Sequence, residues 1–199
     1  MAKAKKKATK AKTKSKAKAR PKKRAAPKAK AMSQDQMMAL WQKAATPADG
    51  HRRLQAMEGS FRAKATFTMS PGDPPQVSDA VSEHRFVLGG RYLEQVYKGS
   101  SMGMPFEGIG FTGYDNVQKK YVGTWMDSFS TGIMSVNGVG RPKENEIKSE
   151  CQAFEPSGRK VHFESTIRIQ DHDHHTYEMW TRAPNGKRYR TMLVEYSRM

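Results

Sequence analysis

The first 31 residues contain no acidic residue, no aromatic residue and no leucine, isoleucine or valine. A segment with nothing to bury cannot offset the entropy of ordering its own backbone, so Met1 to Ala31 is expected to stand outside any core and to be disordered alone. Cysteine is nearly missing as well: Cys151 is the only one in 199 residues, which excludes an internal disulfide and suits a reducing compartment such as the cytoplasm. Long apolar runs are absent. A bilayer span needs about 20 consecutive apolar residues, and a secretory signal needs an apolar stretch behind its first charges; neither pattern occurs. The Lys-rich, Ser-poor start is also a weak match to the Arg-rich amphipathic presequences of mitochondria.

What is abundant is positive charge, and it is segregated. The chain carries a formal +17, of which Met1 to Ala31 supplies +15 from 13 Lys and 2 Arg. The remainder is nearly neutral, at 21 basic against 19 acidic residues. The strong field is therefore confined to one terminal segment, and that segment should meet any polyanion first. Each cation settling near a phosphate releases condensed counterions, which gives binding that is blind to base sequence and steeply salt-dependent. The expected nucleic-acid contacts are Lys5, Lys6, Lys7, Lys10, Lys12, Lys14, Lys16, Lys18, Arg20, Lys22, Lys23, Arg24, Lys28 and Lys30. In composition alone the segment resembles the tails of linker histones and bacterial histone-like proteins, and it places the protein at DNA or RNA, in association with the nucleoid. A solubilising tail and attraction to an anionic membrane surface are the competing readings. Pro21 to Arg24 would serve as a nuclear signal only in a eukaryote.

Three regions follow: the basic tail at 1–31, short helices at 32–58, and a β domain at 59–199. Ser33 with Gln36 reads as a capping box ahead of Met37, Met38, Leu40 and Trp41, so a helix is expected to about Ala45. Thr46, Pro47 and Asp49 read as the start of a second helix anchored by Leu54 and Met57. From Ser60 the period changes to two, which predicts about ten antiparallel strands in a barrel or sandwich. Val161, Phe163, Ile167 and Ile169 alternate with His162, Glu164, Thr166 and Arg168, and Met192, Val194 and Tyr196 repeat the pattern. Turns are expected at Gly89-Gly90, Asp115-Asn116, Asn137-Gly138, Pro156-Ser157-Gly158 and Asn185-Gly186.

Four blocks, Leu88-Gly-Gly-Arg-Tyr-Leu-Glu94, Met104-Pro-Phe-Glu-Gly108, Gly113-Tyr-Asp-Asn116 and Gly123-Thr-Trp-Met-Asp-Ser128, together resemble the bacterial family called domain of unknown function fifteen seventy-nine. The resemblance runs from about His51 to Arg198. It implies a calycin-like barrel, related to lipocalins and nitrobindins, with an internal cavity and no defined reaction. Calycin-like barrels often open on Gly-x-Trp; here the first strand opens Gly59-Ser60-Phe61, so Phe61 is expected to fill the Trp position.

Gly108, Gly110 and Gly113 satisfy G-x-G-x-x-G, but they lie within a strand rather than between a strand and a helix, which argues against a dinucleotide loop. His172, His174 and His175 beside Asp171 and Asp173 could ligate a metal, although a polar hairpin turn has the same composition. Haem enters through the nitrobindin-like relatives, which hold it by a histidine; none of these residues aligns with that ligand, and no cofactor is assigned. Glu94, Glu107 and Asp127 are the candidate acids if two of them share an apolar cavity. Tyr92, Met102, Met104, Trp125, Met126, Met179 and Trp180 are the expected lining of a pocket for a small apolar molecule. The leading reading is a ligand-binding barrel carrying a nucleic-acid-binding tail. The alternatives are a barrel hydrolase or isomerase and a structural nucleoid protein. Oligomeric state is left open.

Overall fold

The computed structural model describes residues 32–140 and 145–199. The basic tail and its lysines and arginines lie outside the described residues.

The first helix, α1 (Gln34–Ala45), carries Asp35 in its first turn and Lys43 in its last, both matched in sign to the helix dipole. None of its residues is buried. The second helix differs from the expected start. Thr46 does not cap it; its hydroxyl donates to the carbonyl of Gln42 at 2.8 Å and closes α1 instead. The second helix, α2 (Asp49–Arg52), is entered at Ala48, whose N–H donates to His51 Nδ1 at 3.0 Å. It continues as a 3-10 segment, Arg53–Met57, in which Leu54 and Met57 are fully buried as anchors.

Ten strands follow: β1 (Gly59–Phe67), β2 (Gln76–Val87), β3 (Tyr92–Ser101), β4 (Met104–Asp115), β5 (Lys120–Asp127), β6 (Met134–Gly138), β7 (Glu146–Phe154), β8 (Lys160–Ile169), β9 (His174–Arg182) and β10 (Arg188–Arg198). Each pairs antiparallel with its sequence neighbour, and β1 pairs with β10 to close the barrel. Closure removes the exposed sheet edges that an open sheet of this size would present. Most turns fall where the sequence places them: Gly89, Gly90, Gly158 and Gly186 all have positive φ. Asn137-Gly138 is an exception. It lies within β6, paired with Glu150 and Ser149 of β7. A turn absent from the expectation joins β3 to β4 through Met102 and Gly103, both at positive φ (52° and 74°). In β8 the alternation holds with one departure, since Thr166 is 9% exposed. In β10 a register shift between Arg190 and Met192 buries Thr191, while Val194 and Tyr196 keep the expected inward phase.

The pairing settles the inner face. Phe61 lies opposite Ser82, Ser82 opposite Tyr97, and Tyr97 opposite Gly108, so these residues share the interior with His84, Gln95, Leu93 and Trp125. Two apolar clusters fill it. One joins Leu54 and Met57 to Leu93, Tyr121, Ile147 and Ile169, so α2 and the 3-10 segment plug one mouth. The other contains Phe61, Ala63, Tyr97, Val194 and Tyr196. Gly50 lets α2 settle against the Tyr114 ring, and its carbonyl accepts from Tyr121 Oη at 3.0 Å.

Arg198 fastens the plug. Its guanidinium donates to the carbonyls of Glu58 (2.7 Å), Ala56 (3.0 Å) and His172 (2.7 Å), and it lies 4.6 Å from the centre of the Phe61 ring. Arg198→Met keeps the stem and deletes these charge-assisted bonds, leaving carbonyls without donors. The substitution should cost about 2–4 kcal/mol, read as a lower urea midpoint at unchanged slope. An unchanged midpoint would mean that the plug is held by Leu54 and Met57 alone.

Candidate functional site

The interior near the plugged mouth holds a cluster of polar side chains among aromatic rings. Antiparallel pairing brings it together from β1, β2, β3, β9 and β10. Ser82 Oγ lies 2.8 Å from His84 Nε2. Gln95 Nε2 donates both to Ser82 Oγ and to Tyr196 Oη, each at 3.0 Å. His175 stacks on Tyr196, with ring centres 4.3 Å apart and planes 8° from parallel, and it meets Phe61 edge-on at 4.7 Å. His84 and His175 are 5.5 Å apart. Both are buried, at 6% and 4% exposure. Among the described residues His84 Nδ1 has no partner within hydrogen-bonding geometry, although the nearby backbone of Met57 favours its protonated form.

Burial governs the chemistry of these rings. Loss of water pulls His84 down to about 4, with a further push from the positive charge of Arg198. It pulls His175 down to about 3, aided by His84 and Arg198. At neutral pH both imidazoles are therefore uncharged. Burial raises Tyr196 well above the usual phenol range, so it stays a phenol, and Tyr177 moves the same way. Cys151 also points inward, with Sγ 3.3 Å from Ser165 Oγ. Its thiol is raised by burial, so it stays protonated and is a poor nucleophile.

A stability prediction follows from the two histidines. In the unfolded chain a histidine takes a proton near pH 6.5, whereas the buried rings refuse one until about 4 and 3. Between those limits the unfolded state binds more protons, so stability is complete above about pH 6.5 and falls as the pH drops towards 4. At pH 5 the loss should be roughly 2 kcal/mol per ring. Urea midpoints at pH 7 and pH 5 measure it, and His175→Phe, which keeps a ring against Tyr196, should remove a large part of the difference. An equal pH response in that variant would place the acid sensitivity elsewhere.

The three candidate acids do not meet. Glu94 and Glu107 project outward: Glu94 pairs with Arg85 at 2.5 Å and Glu107 with Lys98 at 3.7 Å. Asp127 is on the inner face at the unplugged mouth, where Oδ2 accepts from Trp125 Nε1 at 2.9 Å and Oδ1 accepts from the Phe129 N–H at 3.0 Å. Glu94 and Glu107 each face a cation on the outer surface and Asp127 alone faces inward, so no two of them share an apolar environment.

The histidine run divides in the same way. His172 and His174 are exposed and bond to Asp173 (2.9 Å) and Asp171 (3.0 Å), whereas His175 turns inward. Among the described residues no group of three or more His, Cys, Asp or Glu side chains could hold a metal ion. Haem would need an imidazole nitrogen facing open space. His175 is held against Tyr196 and Phe61, and His84 Nε2 is bonded to Ser82, so the residues around the inward histidines do not fit that group.

Of the expected pocket lining, Met179 (8% exposed) and Trp125 face inward, and Met104 stands at the unplugged rim, half exposed. Trp125 lies over Gly108 and Gly110, where any Cβ would collide with the indole. The glycines of the apparent G-x-G-x-x-G are thus seats for rings, and Gly113 does the same for Tyr92 on the outer face. Tyr92, Met126 and Trp180 lie on the outer face, and Met102 is in the β3–β4 turn. Trp180 lies under the Arg188 guanidinium, 4.1 Å away, within an outer ladder of charges. Sequence reading passed over Ser82, His84 and Gln95, although His84 and Ser82 stand two apart in a strand, as residues on one face do.

The profile of a family described as "Protein of unknown function (DUF1579)" matches residues 46–198. The chain belongs to the DUF1579 family. No curated protein matches this DUF1579 chain. Among solved structures it is similar to Rv2717c from M. tuberculosis, with a TM-score of 0.58 and 15% identity over 77% of this chain and 99% of that one. That likeness shows the barrel fold. It is also similar to the S-type phycobiliprotein lyase CPES from Guillardia theta (TM-score 0.49, 10% identity, 77% and 98% covered) and to a redesigned β-barrel (TM-score 0.40, 11% identity, 79% and 96% covered). Among the described residues no helix is long and apolar enough to cross a membrane.

Proposed function

We propose that this DUF1579 protein is a small-molecule-binding barrel tethered to nucleic acid by its basic tail. The observation that carries the reading is charge segregation: +15 of +17 lies in residues 1–31. The barrel's charged residues, by contrast, are extensively cross-paired on its outer face, as in Arg168 with Glu146 and Glu178, and Arg188 with Glu164. A sequence-blind tether of this kind raises local concentration near DNA or RNA without choosing a site, and it suits a cytoplasmic, nucleoid-associated protein.

The binding half rests on the interior. A mostly apolar wall with a few convergent polar groups (Gln95, Ser82, His84 and Tyr196) suits a small molecule with one polar end. The expected open cavity is not seen among the described residues, because the two apolar clusters fill the interior, so a ligand would enter by displacing side chains at the unplugged mouth, where Trp125 and Phe106 are only partly buried. A carrier is preferred to a hydrolase or isomerase because Glu94 and Glu107 are paired outside the barrel. The deciding experiment is nucleic-acid affinity of the full chain against a truncation beginning at Met32. Retained affinity in the truncation would sink the tether.

A further inference from the structure

We propose that α1 is an interfacial helix that, together with the basic tail, seats the protein on an anionic lipid surface. At 3.6 residues per turn Leu40, Ala44, Met37, Trp41, Ala45 and Met38 fall on one arc about 160° wide, interrupted only by Gln34 at the helix start, with Asp35, Gln36, Gln42 and Lys43 opposite. In a globular domain such a face is normally turned to the core. Here it is bare: Met37 is 44% exposed, Met38 64%, Leu40 51% and Trp41 67%. The helix is nevertheless tied to the barrel at its C-terminal end, where Asn116 Nδ2 donates to the carbonyls of Ala44 (3.0 Å) and Thr46 (2.7 Å).

Charge complementarity identifies the occupant. The +15 segment ends at Ala31, three residues before α1 begins at Gln34. An anionic bilayer uses both features, because its headgroups attract the lysines while its acyl boundary takes the methionine, leucine and tryptophan side chains. Neither signal alone gives firm attachment, and the two in series do. A phosphate backbone has nothing to offer Met37, Met38 and Leu40. A second copy would bring two +15 segments together. The inference goes beyond the nucleic-acid reading and does not rest on it, although both draw on the same cations.

The test uses the full chain and its Met38→Ser/Trp41→Ser double variant, both of which should melt together because the two side chains are exposed. Binding is measured to vesicles of phosphatidylcholine alone, to vesicles of phosphatidylcholine and phosphatidylglycerol in equal parts, and to single-stranded and duplex DNA. The expected result is binding to the mixed vesicles with a blue shift of tryptophan emission, weak binding to phosphatidylcholine alone, and a loss of about tenfold or more in the double variant with DNA affinity unchanged. Equal vesicle binding by wild type and variant would overturn the proposal, as would failure of the wild type to bind the mixed vesicles. A variant that instead loses single-stranded DNA would show that Trp41 stacks on bases, and this too would overturn it. Tail-dependent duplex binding is scored separately, so either reading can fail without the other.

Discussion

Removal of residues 1–31 is expected to lower affinity for duplex DNA by about a hundredfold or more at about 50 mM salt, and the full chain should itself weaken by a similar factor between about 50 and 200 mM. The size follows from counterion release. The salt slope is about −0.9 per neutralised phosphate, so as few as four ion pairs give a slope near −3.6 and a loss of about 150-fold over a fourfold rise in salt. The deleted segment holds 15 cations, ample for that number of pairs. The truncated barrel, at 21 basic against 19 acidic residues, has almost no net field to replace them. The same titration on several duplexes of different sequence should give one affinity, because phosphate contacts carry no base information. A truncation that binds as tightly as the full chain would assign the nucleic-acid surface to the barrel.

Phe61→Ala should cost about 3–5 kcal/mol. Phe61 is wholly buried and contacts three other rings: His84 at 5.1 Å, His175 at 4.7 Å and Tyr196 at 6.4 Å between centres. Its loss opens a cavity under the Arg198 guanidinium and removes that cation from an aromatic face. In a domain of this size each kcal/mol moves the melting temperature by about 2–4 °C, so the variant should melt roughly 10 °C lower. Phe61→Trp tests the same site from the other direction. If Phe61 stands where barrels of this kind use tryptophan, the larger ring should be tolerated better than alanine. A melting temperature unchanged in Phe61→Ala would mean that the ring contributes nothing to closure.

The elements were legible where local chemistry is unambiguous. Alternation from Val161 to Ile169 signals a half-buried strand, and Asn185-Gly186 a tight turn, because both signals are complete within a few residues. Met102-Gly103 was missed although Gly103 and the Gly99-Ser100-Ser101 run before it are turn chemistry, because methionine is a poor choice for the neighbouring position at positive φ. Asn137-Gly138 erred the other way, since two turn formers were drawn into β6 by pairing with β7. Thr46 has the side chain of an N-cap, but α1 reached it first.

The site was less legible than the elements, for a related reason. In β3 both alternating sets, Tyr92 with Val96 and Leu93 with Tyr97, are apolar, so composition does not reveal which looks inward. Pairing with Thr112 and Gly108 on the inner face puts Leu93 and Tyr97 inside, and Glu94 outside against Arg85. His174 and His175 are adjacent in sequence and therefore on opposite faces, which divides the apparent metal cluster.

The sequence by itself determined the mainly β class, the strand phases around residues 161–169 and 194–196 and the placing of nearly all net charge in one terminal segment, all of which are composition and short-range periodicity. The family was legible in another way, through the resemblance of four blocks between Leu88 and Ser128. Only the tertiary structure decided that Phe61, His84, Gln95, His175 and Tyr196 form one buried cluster. Gln95 and Tyr196 are 101 residues apart, and they touch because β10 closes on β1. Closure and register are long-range choices settled by burial over the whole barrel at once, which no local pattern encodes.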